Sequence, residues 1–290
     1  MKFATWVNNG KQDSGILSRD LKSVHSFRSL NMPYLSVLNY IINQKDSDRE
    51  LLKKAENTAG IPINSVTLLA PIPSPHHDIL CLGLNYREHV EESARFHIDP
   101  AGPSEEAIYF SKRVVDALGP DGVIENHFDI NDRLDYEAEL AVIIGKNARN
   151  VKPENVWDYV FGFCCFNDLS GRDLQVSHKQ WYFGKSLDGF TAYGPYIVTA
   201  DEFSLPPALK ICSRVNGEVR QSSTTDRLIH SIEEIICELT SGMTLDAGSI
   251  IATGTPQGVG AGFTPHRCLK SGDVCEIEIE GLGVLRNTVA

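Results

Sequence analysis

The chain has 290 residues, 42% hydrophobic and 22% charged, the composition of a globular protein of one large domain or two smaller ones rather than of a disordered or fibrous chain. Its 38 aspartates and glutamates outnumber 27 lysines and arginines, and the net charge of −11 argues against a nucleic-acid or anionic-membrane partner. No apolar run approaches the roughly 18 residues of a membrane span, no secretory signal opens the sequence, and seven cysteines without a CxxC pair fit a reducing, cytoplasmic setting with free thiols.

In chain order, the first seventy or so residues form a small N-terminal α/β unit, residues 1–72. Lys2–Asn8 reads as a short strand. Residues 33–43 place Leu35, Leu38, Tyr40, Ile41 and Ile42 near one helical stripe, and residues 46–58 read as a charged surface helix capped by Asp46 and ended by Gly60. Three prolines within the segment PIPSPHH, residues 71–77, interrupt helix and ladder alike and mark a boundary. From residue 73 to 290 short apolar strands dominate, at 79–83, 107–110, 140–144, 160–166, 194–198, 209–215 and 249–252, with strict alternation over 274–280. One helix is clear at 231–241, where Ile232, Ile235, Ile236 and Leu239 share a face and Gly242 stands where a C-terminal cap belongs. The fold class expected is α+β, mainly β.

Glu137 and Glu139 stand two apart at the head of the run 140–144, so a strand places both carboxylates on one face. Buried there, like charges persist only with a shared proton or a neutralising cation; on an edge strand they are simply solvated. Asp168 ends the apolar segment 160–167 and is either a ligand delivered to a site mouth or a turn-starting aspartate. Three carboxylates without a histidine or cysteine pattern suit magnesium or manganese better than zinc. A helical turn after Asp168 brings Arg172 beside it and Gln175 one turn on, where an anion could dock. His89 and Glu92, three apart, adjoin on a helix, as a surface pair or as an imidazole oriented by a carboxylate.

Read together, these segments resemble the fumarylacetoacetate hydrolase family. The resemblance rests on CLGLNYREHVEE (81–92), LDYEAELAVIIGK (134–146), GFCCFNDLSGRDLQ (162–175), WYFGKSLDGFTAYGP (181–195) and IIATGTPQGVG (250–260), in the family's order over about three quarters of the chain. It implies a mixed β-sandwich roll assembled as a homodimer, with Mg²⁺ or Mn²⁺ held by Glu137, Glu139 and Asp168. It further implies that His89 and Glu92 lie on a mobile lid, residues 85 to about 106, as the water-activating pair, and it raises Lys185 from an ordinary surface lysine to a member of the site. Arg172, Gln175, Lys185 and Thr255 would fix the oxygens of a small-molecule α-keto acid.

The activity expected on that resemblance is hydrolysis of a carbon–carbon bond in a β-diketo acid of the acylpyruvate type through a metal-stabilised enolate. Oxaloacetate decarboxylation and isomerisation of unsaturated keto-diacids use the same apparatus, and a non-catalytic binding protein on the same fold is a further alternative. Leu84 stands where relatives often carry a basic residue, which bears on a direct ionic contact from that loop. The glycines at 254, 258, 260 and 262 lack the lysine of a phosphate loop. His76 and His77 read as a solvated linker pair, and Trp181 and His178 as candidates for a substrate wall, packing being the usual role of such a tryptophan.

Overall fold

The computed structural model describes residues 1–96 and 105–290, with the side chain of Phe96 also outside the description. Of the lid expected over 85–106, residues 97–104 therefore lie outside the described residues.

The protein is a mixed, mainly β, α+β structure built on two large sheets and a two-stranded ribbon of Leu134–Asp135 and Ser170–Gly171. The larger runs from Ile61–Pro62 through Ser23–Ser26, Lys11–Leu17, Lys2–Asn8, Thr191–Thr199, Val160–Asp168, Ala138–Ile144, Ile250–Ala252 and Ile79–Gly83 to Ile108–Lys112. The first strand joins it directly, with Lys2 opposite Val198 and Phe3 opposite Ile197, so the N-terminal residues extend the same sheet. The smaller sheet orders Glu218–Thr224, Lys210–Val215, Val274–Ile279, Gly283–Val289 and Val123–Ile124.

Both faces of the large sheet are covered, which explains why the run 140–144 in its middle is apolar at every position. Leu140, Val142 and Ile144 pack with Ile277, Ile279 and Leu285 of the smaller sheet, whereas Ala141 and Ile143 face the opposite layer with Phe3, Tyr40 and Ile41. Two hairpins turn at Asn9–Gly10 (φ 49° and 73°) and Asn216–Gly217 (φ 53° and 79°), the left-handed pair that the right-handed twist of antiparallel strands favours.

The helical expectations need three corrections. The first helix is Val37–Asn43, capped by the Ser36 hydroxyl; Val37, Tyr40 and Ile41 are buried, while Leu35 and Ile42 face solvent. Leu35 precedes the cap, so helical spacing does not apply to it. The second spans Asp48–Ala55, and Asp48, not Asp46, accepts from the Lys45 amide. The third, Ile232–Gly242, starts with a capping box between Ser231 and Glu234 but runs through Gly242 to end at Met243. All seven cysteines are free thiols, and no helix among the described residues is long and apolar enough to cross a membrane.

Candidate active site

Strand register brings the three expected carboxylates together. Ala138–Ile144 and Val160–Asp168 are antiparallel, with Glu139 opposite Phe166 and Ala138 opposite Asn167. The same register sets Glu137 against Asp168, whose amide donates to the Glu137 carbonyl at 3.0 Å. Two-residue periodicity then puts Glu137, Glu139 and Asp168 on one face of the sheet, although the strand proper begins only at Ala138. One carboxylate oxygen from each lies within 4.8 Å of the others, and all three residues are buried.

Buried charge of one sign requires compensation. Lys185 Nζ supplies part of it, donating to Glu137 Oε2 at 2.7 Å and Asp168 Oδ2 at 2.8 Å. Lys112 Nζ donates to Asp168 Oδ1 and, at 2.9 Å, to the Leu169 carbonyl. Arg172 Nε donates to Asp135 Oδ2 at 2.9 Å, and its Nη2 stands 2.8 Å from Glu137 Oε1, near enough for an ion pair but off the line of a hydrogen bond. Burial works against the Glu137 charge, yet Lys185 and then Arg172 hold its carboxyl down to about 2. Lys185 is likewise penalised by burial, and Asp168 and Glu137 keep it charged.

Glu139 is different. Its side chain accepts from the Gly254 amide at 2.8 Å and carries no ion pair among the described residues. Burial first, then Asp168 and Glu137, push its carboxyl well above the usual range. The four carboxylates of Asp135, Glu137, Glu139 and Asp168 face the three cations Lys112, Arg172 and Lys185, an excess of one negative charge when all are ionised. Three converging hard oxygen donors with an uncompensated charge fit a divalent magnesium or manganese ion, and its two charges would turn the excess positive, the sign that receives an anionic substrate.

Beside this cluster the helix Arg87–Phe96 presents His89, whose Nδ1 lies 2.9 Å from Glu92 Oε2. The second Glu92 oxygen accepts from the Gly258 amide at 2.9 Å. The carboxylate is thus fixed from both sides, and among the described residues His89 Nε2 is the ring nitrogen without a hydrogen bond. His89 shares with Glu137, Glu139, Arg172 and Lys185 a cavity of about 20 Å³ walled by Phe110 and Trp181, room for a water or an ion. Gly83 forms part of the wall, where a Cβ would overlap the Trp181 ring.

The glycine-rich segment after Ile250–Ala252 holds carboxylates. Gly254 serves Glu139, Gly258 serves Glu92, and the amides of Gly260 and Ala261 donate to the two Asp135 oxygens at 2.6 and 2.9 Å. At Gly262 a Cβ would overlap Glu92 Oε1. Gly262→Ala should therefore displace Glu92, release His89 and lower turnover by roughly 10- to 100-fold, part of what an oriented general base contributes. Magnesium affinity measured by calorimetry should stay unchanged, because no metal-facing carboxylate moves.

Seven of the nine residues expected in the site thus line one cavity, and the other two, Glu92 and Asp168, bond to His89 and Lys185 in its wall. Gln175 Oε1 accepts from Arg172 Nη1 at 3.0 Å, leaving its amide N–H groups uncommitted to Arg172. Thr255 Oγ1 donates to the Ala138 carbonyl at 3.0 Å and accepts from Gln221 at 2.7 Å, so a substrate oxygen must compete with Ala138 for its proton. His178 stands outside, exposed beside Phe183. Sequence reasoning passed over Asp135 and Lys112. The first continues the alternation Asp135, Glu137, Glu139 by one step; the second is a lysine closing an apolar strand, a position where solvent exposure is the ordinary reading.

The C-terminal domain model of fumarylacetoacetate (FAA) hydrolase matches residues 78–290. The chain belongs to the fumarylacetoacetate hydrolase family. Among members of this family, the oxaloacetate tautomerase YisK of Bacillus subtilis is 44% identical over 243 residues, 83% of this chain and 79% of that protein. A fumarylacetoacetate hydrolase from psychrophilic Exiguobacterium antarcticum superposes with a TM-score of 0.83 at 37% identity, covering 100% of this chain and 99% of that one. A maleylpyruvate hydrolase of Sphingobium sp. SYK-6, solved with manganese(II) and pyruvate, superposes with a TM-score of 0.79 at 28% identity and the same coverage. Family members are enzymes, with a tautomerase and hydrolases among these relatives.

Proposed function

We propose that the protein enolises a short α-keto acid, and that its reaction is the keto–enol tautomerisation of oxaloacetate. The observation that carries this reading is one oriented imidazole, His89, sharing a small cavity with Arg172, Lys185, Glu137 and Glu139. The 44% identity to an oxaloacetate tautomerase supports the choice of this compact keto-diacid.

A magnesium or manganese ion held by Glu137, Glu139 and Asp168 would supply Lewis-acid polarisation of the keto oxygen. Arg172, with Nη2 outside any hydrogen bond, attracts the substrate carboxylate, and the Gln175 amide group donates to its oxygens. His89 Nε2 removes a proton from the carbon next to the keto group, Glu92 stabilising the imidazolium that forms. Lys185, kept charged by Asp168 and Glu137, protonates the enolate oxygen. Return of the proton from His89 to Lys185 through solvent closes the cycle. Phe110 and Trp181 limit water at the reacting carbon.

A second reading, hydrolysis of acylpyruvates, is favoured by the same His89–Glu92 pair, which is equally suited to deprotonate a water for attack on a distal carbonyl. One experiment separates the two. Enol-oxaloacetate is mixed with the protein and loss of the enol's ultraviolet absorbance is followed with magnesium and then with chelator, alongside pyruvate release from a panel of acylpyruvates. Magnesium-dependent loss of the enol without acylpyruvate cleavage is expected; pyruvate release with the enol decaying at the buffer rate would replace tautomerisation with hydrolysis.

A further inference from the structure

A second constellation lies away from the carboxylate cluster. His76 and His77 precede the strand Ile79–Gly83, and Asp246 lies in the turn leading to Ile250–Ala252. These two strands are parallel neighbours, with Leu80 opposite Ile251 and Cys81 opposite Ala252. Parallel pairing places their N-terminal ends side by side, which brings two imidazoles against one carboxylate. His77 Nε2 stands 3.0 Å from Asp246 Oδ2, and the two imidazole rings are 4.2 Å apart at an angle of 54°.

The turn is shaped to admit this approach. Gly248 sits at φ +92°, and a Cβ there would overlap Leu38 Cδ1 and come within 3.3 Å of His76 Cε1. The turn is closed by the Ser249 amide donating to the Asp246 carbonyl at 2.9 Å. One donor atom each from His76, His77 and Asp246 falls within 4.8 Å of the other two. Ligand atoms of a tetrahedral zinc ion lie roughly 3.4 Å apart, given bond lengths of about 2.0 to 2.1 Å. The exposed histidines need only small side-chain rotations to reach that spacing.

We infer that His76, His77 and Asp246 form a binding site for a zinc-class divalent ion, distinct from the carboxylate cluster. Two imidazoles and one carboxylate select zinc over magnesium, because nitrogen ligands suit the softer transition ions while magnesium requires oxygen. Solvent supplies the fourth ligand. The five-residue strand Ile79–Gly83 separates the histidines from the cavity lining by roughly 17 Å, so the ion takes no part in chemistry. It pins the N-terminal ends of two strands whose other ends carry Gly83 and the Thr253–Thr255 segment of the active site.

Zinc would also enter the carboxylate cluster, so the test uses untagged Glu139→Ala protein, in which that cluster lacks a ligand. Calorimetric titration with zinc ion should show a binding class that His77→Gln weakens at least tenfold, since even supporting contacts in metal sites cost 10- to 100-fold when removed. Asp246→Asn should weaken the same class, and zinc should raise the Tm of the Glu139→Ala protein but not of either double variant. His77→Gln alone, in the otherwise natural sequence, should keep the parental magnesium-dependent activity, which shows that the variant folds. A zinc isotherm unaltered by both substitutions would overturn the assignment.

Discussion

His89→Ala should lower kcat by roughly 10² to 10⁴, the usual worth of a positioned general base, while magnesium and oxalate still bind at the parental affinity. The separation follows from the architecture. The base sits on the helix Arg87–Phe96, whereas Glu137, Glu139 and Asp168 belong to two adjacent strands of the large sheet and the segment leading into one of them. Removing the imidazole leaves the ion pairs of Lys185, Lys112 and Arg172 intact. Any oxaloacetate decarboxylation should suffer much less than tautomerisation or hydrolysis, because loss of carbon dioxide leads to the enolate without proton removal by His89. Stopped-flow enol decay and calorimetry on the same preparation read both quantities. Metal lost together with activity would remove His89 from the role of base.

The second large effect is expected at Glu139, the carboxylate without a cation of its own. Glu139→Ala should weaken magnesium binding by at least about 10- to 100-fold and lower turnover at limiting magnesium in proportion. A pH dependence accompanies this. Because burial, Asp168 and Glu137 raise the Glu139 carboxyl, the metal-free folded protein holds that proton more tightly than the unfolded chain does. The resulting stability is fully present below the ordinary glutamate value of about 4.3 and is lost as pH rises through the raised value. Magnesium must displace the proton. Calorimetry in buffers of different ionisation enthalpy should therefore show proton release on magnesium binding, and the magnesium-induced rise in Tm should grow with pH. A shift in Tm that stays constant with pH would mean that Glu139 is already ionised in the metal-free protein.

Much of this site was legible in the amino-acid order because its chemistry is local to motifs. Glu137 and Glu139 share a face through two-residue periodicity alone, and His89 with Glu92 through helical spacing. The pairing of Glu137 with Asp168 required the register of two strands, which spacing along the chain does not encode. The buried charges of Asp135 and Lys112 are harder to read: Asp135 continues the alternation of Glu137 and Glu139, but its anchoring by the Gly260 and Ala261 amides comes from a segment far along the chain. The glycines at 254, 258 and 260 lack the lysine of a phosphate loop, and their amides bind the protein's own carboxylates.

The fold shows the same division. Strands with continuous apolar runs, such as Ala138–Ile144, stand out because both faces are buried. Lys11–Leu17, polar in its first half, and the edge strand Glu218–Thr224 escape a hydrophobicity pattern, although Asn9–Gly10 and Asn216–Gly217 are the turn signals that announce them. The exposed Leu35 and Ile42 show the converse, apolar residues near a helix whose burial is decided by what packs on it.

The central claim is that the cluster of Glu137, Glu139 and Asp168 is a divalent-metal centre that receives an α-keto acid opposite His89. A crystal structure of the protein with manganese and oxalate, read through the anomalous signal of the metal, tests it most directly. The account predicts one manganese peak among these three carboxylates, Lys185 withdrawn from its bridge between Glu137 and Asp168, and oxalate bound on the side of Arg172 and His89. Manganese absent from the cluster, with Lys185 still bridging the two carboxylates, would contradict it.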